Sequence, residues 1–211
     1  MGQIVKFPVQ ASKLGYTRAR KRGRGIDPNQ LDLFPSPGAQ ILEFTPAAGW
    51  FEQALALDER GDARAAEFYL KAIEQEDCVA DAWCNLGILE SRNGNTIRAF
   101  DCFTCSLKHN PRHFEAHYNL GNLYFDANDF RLAQLHYELA VEVNPSFANA
   151  YFNLALVHAI HHDPAAAVRV LSRYQELVPV EEARNAARLL EDLKESIAAV
   201  RSRSSRTAPQ V

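Results

Sequence analysis

No stretch of this 211-residue chain is apolar for the ~18–20 residues that cross a bilayer as a helix, so no transmembrane helix and no membrane partner are expected. The opening Met1-Gly2-Gln3-Ile4-Val5-Lys6 lacks the long apolar run of a secretory signal, and Lys6 stands where N-myristoylation needs Ser or Thr. The expectation is a soluble, cytoplasmic protein. A phosphate-cradling loop is missing too, since GRGIDP does not have the Walker spacing, and no G-x-S-x-G nucleophile elbow occurs. Cysteine is scarce, at four residues: Cys78, Cys84, Cys102 and Cys105. Cys102 and Cys105 have C-x-x-C spacing, but they lie within the unbroken helical stretch AFDCFTCSLKH, with no Gly or Pro to form a metal knuckle. Free thiols packed as small hydrophobes are expected there. His158, His161 and His162 are spaced i, i+3, i+4, yet Ala159 stands where an H-E-x-x-H motif would have its Glu. The negative end of a helix dipole explains imidazoles at that place without a metal. His109, His113 and His117 straddle Pro111 and need not converge. No nucleophile is paired with a base. The expectation is no catalytic residues, no metal, no cofactor and no enzyme.

What the chain does have is charge asymmetry and a repeat. Residues 1–45 carry seven Lys/Arg against three Asp/Glu, while the remainder carries sixteen against twenty-three. A basic leader precedes an acidic body, and two such parts have different jobs. Within the body, prolines recur at 111, 145 and 179, each 34 residues after the last. The same step links Asn85, Asn119 and Asn153; Leu86, Leu120 and Leu154; Gly87, Gly121 and Ala155; and Ala65, Ala99, Ala133 and Ala167. Large residues follow at Tyr69, Phe103, Tyr137 and Leu171. So many columns in register mean a stack of identical supersecondary units, each covering its neighbour's apolar face.

On these residues the chain resembles the tetratricopeptide-repeat family. Repeat 114–147 carries the pattern best, with Leu120-Gly121, Tyr124, Ala133, Tyr137, Ala140 and Pro145. Repeat 80–113 has Trp83, Leu86-Gly87, Ala99, Phe103 and Pro111, and repeat 148–181 has Tyr151, Leu154-Ala155, Ala167 and Pro179. Repeat 46–79 is degenerate, keeping Ala65, Tyr69 and Ala72 but no Leu-Gly pair. The resemblance implies an all-α solenoid of about four helix-turn-helix repeats over 46–181. Gly61, Gly94 and Asn128 fall where the turn within a repeat needs a permissive backbone. Asp62, Thr96 and Asp129 are candidate caps for the second helices. A capping helix over 182–202 is expected to bury Ala187, Leu190, Leu193 and Ile197, ahead of a disordered tail at 203–211. The basic leader, 1–45, is expected to be mostly flexible, with room for short docked pieces.

The resemblance also implies that the first helix of each repeat lines a concave groove. Carried onto this sequence, the groove residues are Asn85, Ile88, Tyr118, Asn119, Asn122, Phe152, Asn153 and Leu156, with Arg92 and Asp126 further along. A side-chain amide donates and accepts at once, so a ladder of asparagines can hold the backbone of an extended peptide. The regularly spaced Lys and Arg of a carboxylate clamp are missing, which argues against an acidic C-terminal tail as ligand. The expected function is a non-catalytic scaffold that binds a protein or peptide partner in this groove. The alternative is a DNA-associated factor. Gln30, Leu31, Asp32, Leu33 and Phe34 resemble the sliding-clamp binding pentapeptide, and the basic run from Lys13 to Arg24 would sit near nucleic acid. The same Leu31, Leu33 and Phe34 could instead fold back over the degenerate first repeat.

Overall fold

The computed structural model describes residues 14–20 and 48–204, and among them all regular structure is helical. In order the helices are α1 (Trp50–Glu59), α2 (Ala65–Glu74), α3 (Val79–Arg92), α4 (Thr96–His109), α5 (Phe114–Asp126), α6 (Phe130–Val143), α7 (Ala148–Ile160), α8 (Pro164–Leu177) and α9 (Val180–Ser204). Each helix packs on the next, most extensively within the pairs α1–α2, α3–α4, α5–α6 and α7–α8, and α9 lies on α8. The result is a one-dimensional stack of helical hairpins.

One turn geometry is repeated four times. Gly61, Gly94, Asn128 and His162 all have left-handed φ, at 71°, 79°, 60° and 58°. The next residue's N–H reaches back to a carbonyl five positions earlier: Asp62 to Leu57, Asn95 to Glu90, Asp129 to Tyr124 and Asp163 to His158, at 2.8–2.9 Å. This closure satisfies carbonyls left over at the helix end and requires the left-handed residue. Between repeats the chain turns differently. Asn110 and Asn144, each preceding a proline, are extended, as the proline ring demands. After α2, where there is no proline, Glu76 and Cys78 take left-handed φ instead. The Asp77 carboxylate then accepts the Phe51 N–H at 2.9 Å, tying the end of the first repeat to its beginning.

Side-chain caps follow the sequence only in part. Asp129 caps α6 by accepting from Leu132 N–H, and Asp163 does the same for α8 through Ala166 N–H. Thr96 is a correction: it is the first residue inside α4, and the cap position belongs to Asn95. Asp62 is another, because it accepts from Arg64 N–H within the turn while Arg64 holds the cap position of α2.

The glycine columns are explained by direct contact with an aromatic ring. A Cβ on Gly87 would lie 2.7 Å from Phe103 Cε1, and one on Gly121 would lie 2.5 Å from Tyr137 Cε1. The fourth repeat makes the compensating change, with Ala155 and Leu171 buried together in one cluster. Beyond their own hairpins the rings reach the next one: Tyr69 packs with Ala82 and Leu86, and Tyr137 with Ala150 and Leu154. Among the described residues of α9, Ala186, Leu189 and Leu190 are buried, so Leu190 faces inward as expected while Ala187 is only half-buried. The side chains of Leu193 and Ile197 lie outside the described residues.

Candidate peptide-binding groove

Residues 14–20 run as an extended segment across the first helices of the repeats, and the asparagine column holds its backbone. Asn153 accepts the Leu14 N–H at 2.7 Å and donates to the Leu14 carbonyl at 3.0 Å. Asn119 makes the same pair with Thr17, at 2.9 Å both ways. Asn85 makes it with Ala19, at 2.8 and 2.9 Å. Each amide therefore pairs with one residue of the segment as a neighbouring β-strand would, satisfying its N–H and its C=O together. The segment runs from the fourth repeat toward the first.

The asparagines are themselves fixed. All three are completely buried. Asn85 also donates to the Tyr69 hydroxyl at 3.2 Å, and Asn119 to Cys84 Sγ at 3.4 Å. Asn153 reaches the Tyr118 hydroxyl at 3.2 Å and Asn122 Oδ1 at 2.9 Å. Burial pushes the Tyr69, Tyr118 and Tyr137 phenols above their ordinary range, so each stays protonated and can donate. Tyr118 spends its proton on the segment, 2.9 Å from the carbonyls of Leu14 and Gly15.

Side chains of the segment also find places. Leu14 packs on the cluster that contains Leu156 and is flanked by Phe152, whose ring lies 5.2 Å from Tyr174. Tyr16 stacks over Phe103 at 6.3 Å and hydrogen-bonds Ser91. Ala19 is fully buried among Cys84, Ile88, Phe103 and Leu120. Arg18 ends on Asp58, with Nε 2.6 Å from Oδ2 and Nη2 2.8 Å from Oδ1. The Asp58 side chain is wholly buried and also meets Arg92 Nη1 at 3.1 Å and the Tyr69 hydroxyl at 3.4 Å. Beyond it, Arg20 pairs with Glu59 at 3.1 Å.

Of the groove residues read from sequence, Asn85, Tyr118, Asn119 and Asn153 bond the segment directly, while Ile88, Phe152 and Leu156 belong to the apolar clusters on which it rests. Asn122 is set apart: it accepts from Tyr137 at 2.7 Å and braces Asn153. The residue that sequence reasoning missed is Asp58. Its column holds Arg92 and Asp126 in the following repeats, so periodicity gave no signal; the basic leader facing an acidic body was the only hint. Gln30, Leu31, Asp32, Leu33 and Phe34 lie outside the described residues. Of the basic run expected near phosphates, Arg18 and Arg20 are engaged by Asp58 and Glu59.

The histidines and cysteines go elsewhere. His113 caps α5 by accepting from Ala116 N–H and meets Asp81 at 3.1 Å. His117 faces His136, Nδ1 to Nδ1 at 3.1 Å, with its Nε2 3.1 Å from the Pro111 carbonyl. Burial lowers both imidazoles, and His136 is brought down to about 4. Burial raises the Cys84 thiol and pushes that of Cys102 up to about 12, so neither is a ready thiolate. Among the described residues no cluster of three or more His, Cys, Asp or Glu could hold a metal ion, and no helix is long and apolar enough to cross a membrane.

Comparison with known proteins agrees with this architecture. Profiles of the family described as Tetratricopeptide repeat match residues 118–182 and 68–101. Tetratricopeptide repeat protein 8 of Mus musculus is 34% identical over 88 residues, which is 42% of this chain and 17% of that protein. The Homo sapiens protein of the same name is 32% identical over 88 residues, 16% of its length. The chain thus matches under a fifth of these relatives. Among solved structures, the first TPR of Spaghetti (RPAP3) bound to HSP90 peptide SRMEEVD has a TM-score of 0.52 and 24% identity, over 56% of this chain and 95% of that one. A crystal structure of MamA has a TM-score of 0.53 and 18% identity, over 71% and 96%. With the repeat columns and the stacked hairpins, these matches establish that the chain belongs to the tetratricopeptide-repeat family.

Proposed function

We propose that this protein is a non-catalytic interaction module whose groove binds an extended peptide by its backbone, through Asn85, Asn119 and Asn153. The observation that carries the reading is the ladder itself: three buried amides, each satisfying both the N–H and the C=O of one residue in segment 14–20. With the segment in place the three amides are buried and each has its donor and its acceptor paired with the segment backbone, so segment and groove complement one another. Support comes also from a structural neighbour of the same fold that holds a peptide in its solved complex. Backbone capture provides affinity and leaves selectivity to side-chain pockets.

The test is direct. A labelled peptide of residues 12–22 is titrated into a chain beginning at Pro46, with helicity checked by circular dichroism. The reading expects saturable binding that Asn119→Ala with Asn153→Ala weakens at least about tenfold, since four hydrogen bonds to the segment are lost and the net worth of one or two already accounts for that factor. If substitutions on the second helices abolish binding while the double asparagine variant retains it, the groove is not the site.

A further inference from the structure

The occupant's own side chains say more about the ligand than the ladder does. Asp58 is a buried carboxylate at the first-repeat end of the groove, and two guanidinium nitrogens of Arg18 meet its two oxygens. A buried charge is costly unless it is paired. Arg92 supplies one partner from within the array, at 3.1 Å, and Arg18 adds a hydrogen bond through Nη2 and an ion-pair contact through Nε, a two-point grip that the guanidinium shape permits and a lysine does not. Immediately after it, Ala19 is fully enclosed within the apolar cluster that includes Cys84, Ile88, Phe103 and Leu120, so a larger side chain at that place has no open space to enter. Two residues before the arginine, an aromatic ring lies on Phe103. Glu59 then receives a second arginine. Among the described residues at this end of the groove, Asp58 and Glu59 face Arg92 alone from within the array, so the surface is net acidic and complementary to a basic segment.

Among the described residues, every contact that holds segment 14–20 is noncovalent. It is held by hydrogen bonds, ion pairs and packing, and twenty-seven residues separate Arg20 from Ala48. A chain of that length can reach about 90 Å, so the segment can leave without shifting α1. While attached, it competes at the high local concentration of a tethered ligand.

Building on the groove reading above, we propose that the physiological ligand is an extended basic segment of another protein, carrying an aromatic residue, then arginine followed at once by alanine or glycine, and that residues 14–20 are a resident stand-in it must displace. The bidentate Asp58 site selects the arginine, the closed Ala19 site selects the small residue, and the tethered leader sets the threshold for entry.

The experiment uses the full chain and two fluorescent peptides, one with the sequence of residues 12–22 and one with Gln at the Arg18 position. Both are titrated into the native chain and into a leader-weakened Tyr16→Ala/Arg18→Ala chain. The proposal expects the leader-weakened chain to bind the parent peptide about tenfold or more tightly than the native chain does, because the competing fraction falls. It also expects the Gln peptide to bind about tenfold more weakly than the parent, and Asp58→Asn to erase that difference. Equal binding of the two peptides overturns the arginine selectivity while leaving the groove reading intact. Equal affinity of the native and leader-weakened chains for the parent overturns the stand-in. Binding of neither peptide to the leader-weakened chain overturns the groove reading itself. The peptide comparison decides selectivity even if Asp58→Asn fails to fold.

Discussion

Replacing Gly121 by Ala sets two effects of opposite sign against each other. In an exposed helix interior this change stabilises by roughly 1 kcal/mol, because alanine has the better helix propensity. Here the new methyl would lie 2.5 Å from Tyr137 Cε1, 2.7 Å from Cδ1 and 3.1 Å from Cζ. The ring cannot step aside, since Tyr137 is fully buried and its hydroxyl is held by Asn122 at 2.7 Å. Overpacking of this kind costs roughly 1–3 kcal/mol, so the net expectation is a loss of up to about 2 kcal/mol. For an array of this size that lowers the melting temperature by up to about 8 °C. The fourth repeat names the remedy, because Ala155 already sits with Leu171. Tyr137→Leu alone should destabilise by removing a buried ring, but Gly121→Ala/Tyr137→Leu should be less unstable than the two single losses summed, with a coupling of about 1–2 kcal/mol. Urea denaturation followed by circular dichroism supplies all four corners of the cycle. A stabilised Gly121→Ala, or additive losses, would refute the ring-contact explanation of the glycine column.

Other consequences can be checked together. His162 holds a left-handed φ of 58° where Gly61 and Gly94 hold the same turn, so His162→Gly should stabilise by about 0.5–1 kcal/mol, read as a raised urea midpoint. Removing the Asp77 carboxylate with Asp77→Ala should free the Phe51 N–H, cost about 1 kcal/mol, and raise amide exchange first in α1. Burial, with His117 alongside, holds His136 at about 4 in the fold against an ordinary 6.5. A base with a lowered folded pKa binds more protons unfolded, so its contribution is complete above about pH 6.5 and is lost as pH falls toward 4. The melting temperature should therefore drop between pH 7 and 5, and His136→Gln should flatten that slope; an equally steep slope in the variant would place its origin elsewhere.

The columns carried most of this architecture because each has a local physical cause repeated at fixed spacing. Proline sets an extended residue before it, Gly121 gives way to a ring, and Asn128 accepts a left-handed backbone; each is visible in one repeat and confirmed by the next. Thr96 was misplaced as a cap because the turn after α3 closes one residue earlier, on Asn95, and a single-residue shift leaves the hydrophobic pattern unchanged. His162 went unrecognised as a turn residue because its column otherwise reads Gly or Asn. The groove was legible as a row of amides, but not its occupant. An extended segment has no helical period, and its grip on Asn153, Asn119 and Asn85 falls at unequal steps of three and two residues. Asp58 was hidden for a different reason: it lies in the degenerate first repeat, in a column that changes charge sign along the array.

The central claim is that buried asparagine side chains hold the segment's backbone, and amide hydrogen exchange of the full chain by NMR reads that contact one residue at a time. The N–H groups of Leu14, Thr17 and Ala19 are each donated to an asparagine oxygen at 2.7–2.9 Å. They should be protected from exchange, and Asn119→Ala should expose Thr17 first while the helices of the array keep their protection. Uniformly fast exchange across residues 14–20 in the unmodified chain, or protection of Thr17 that survives Asn119→Ala, would contradict the account.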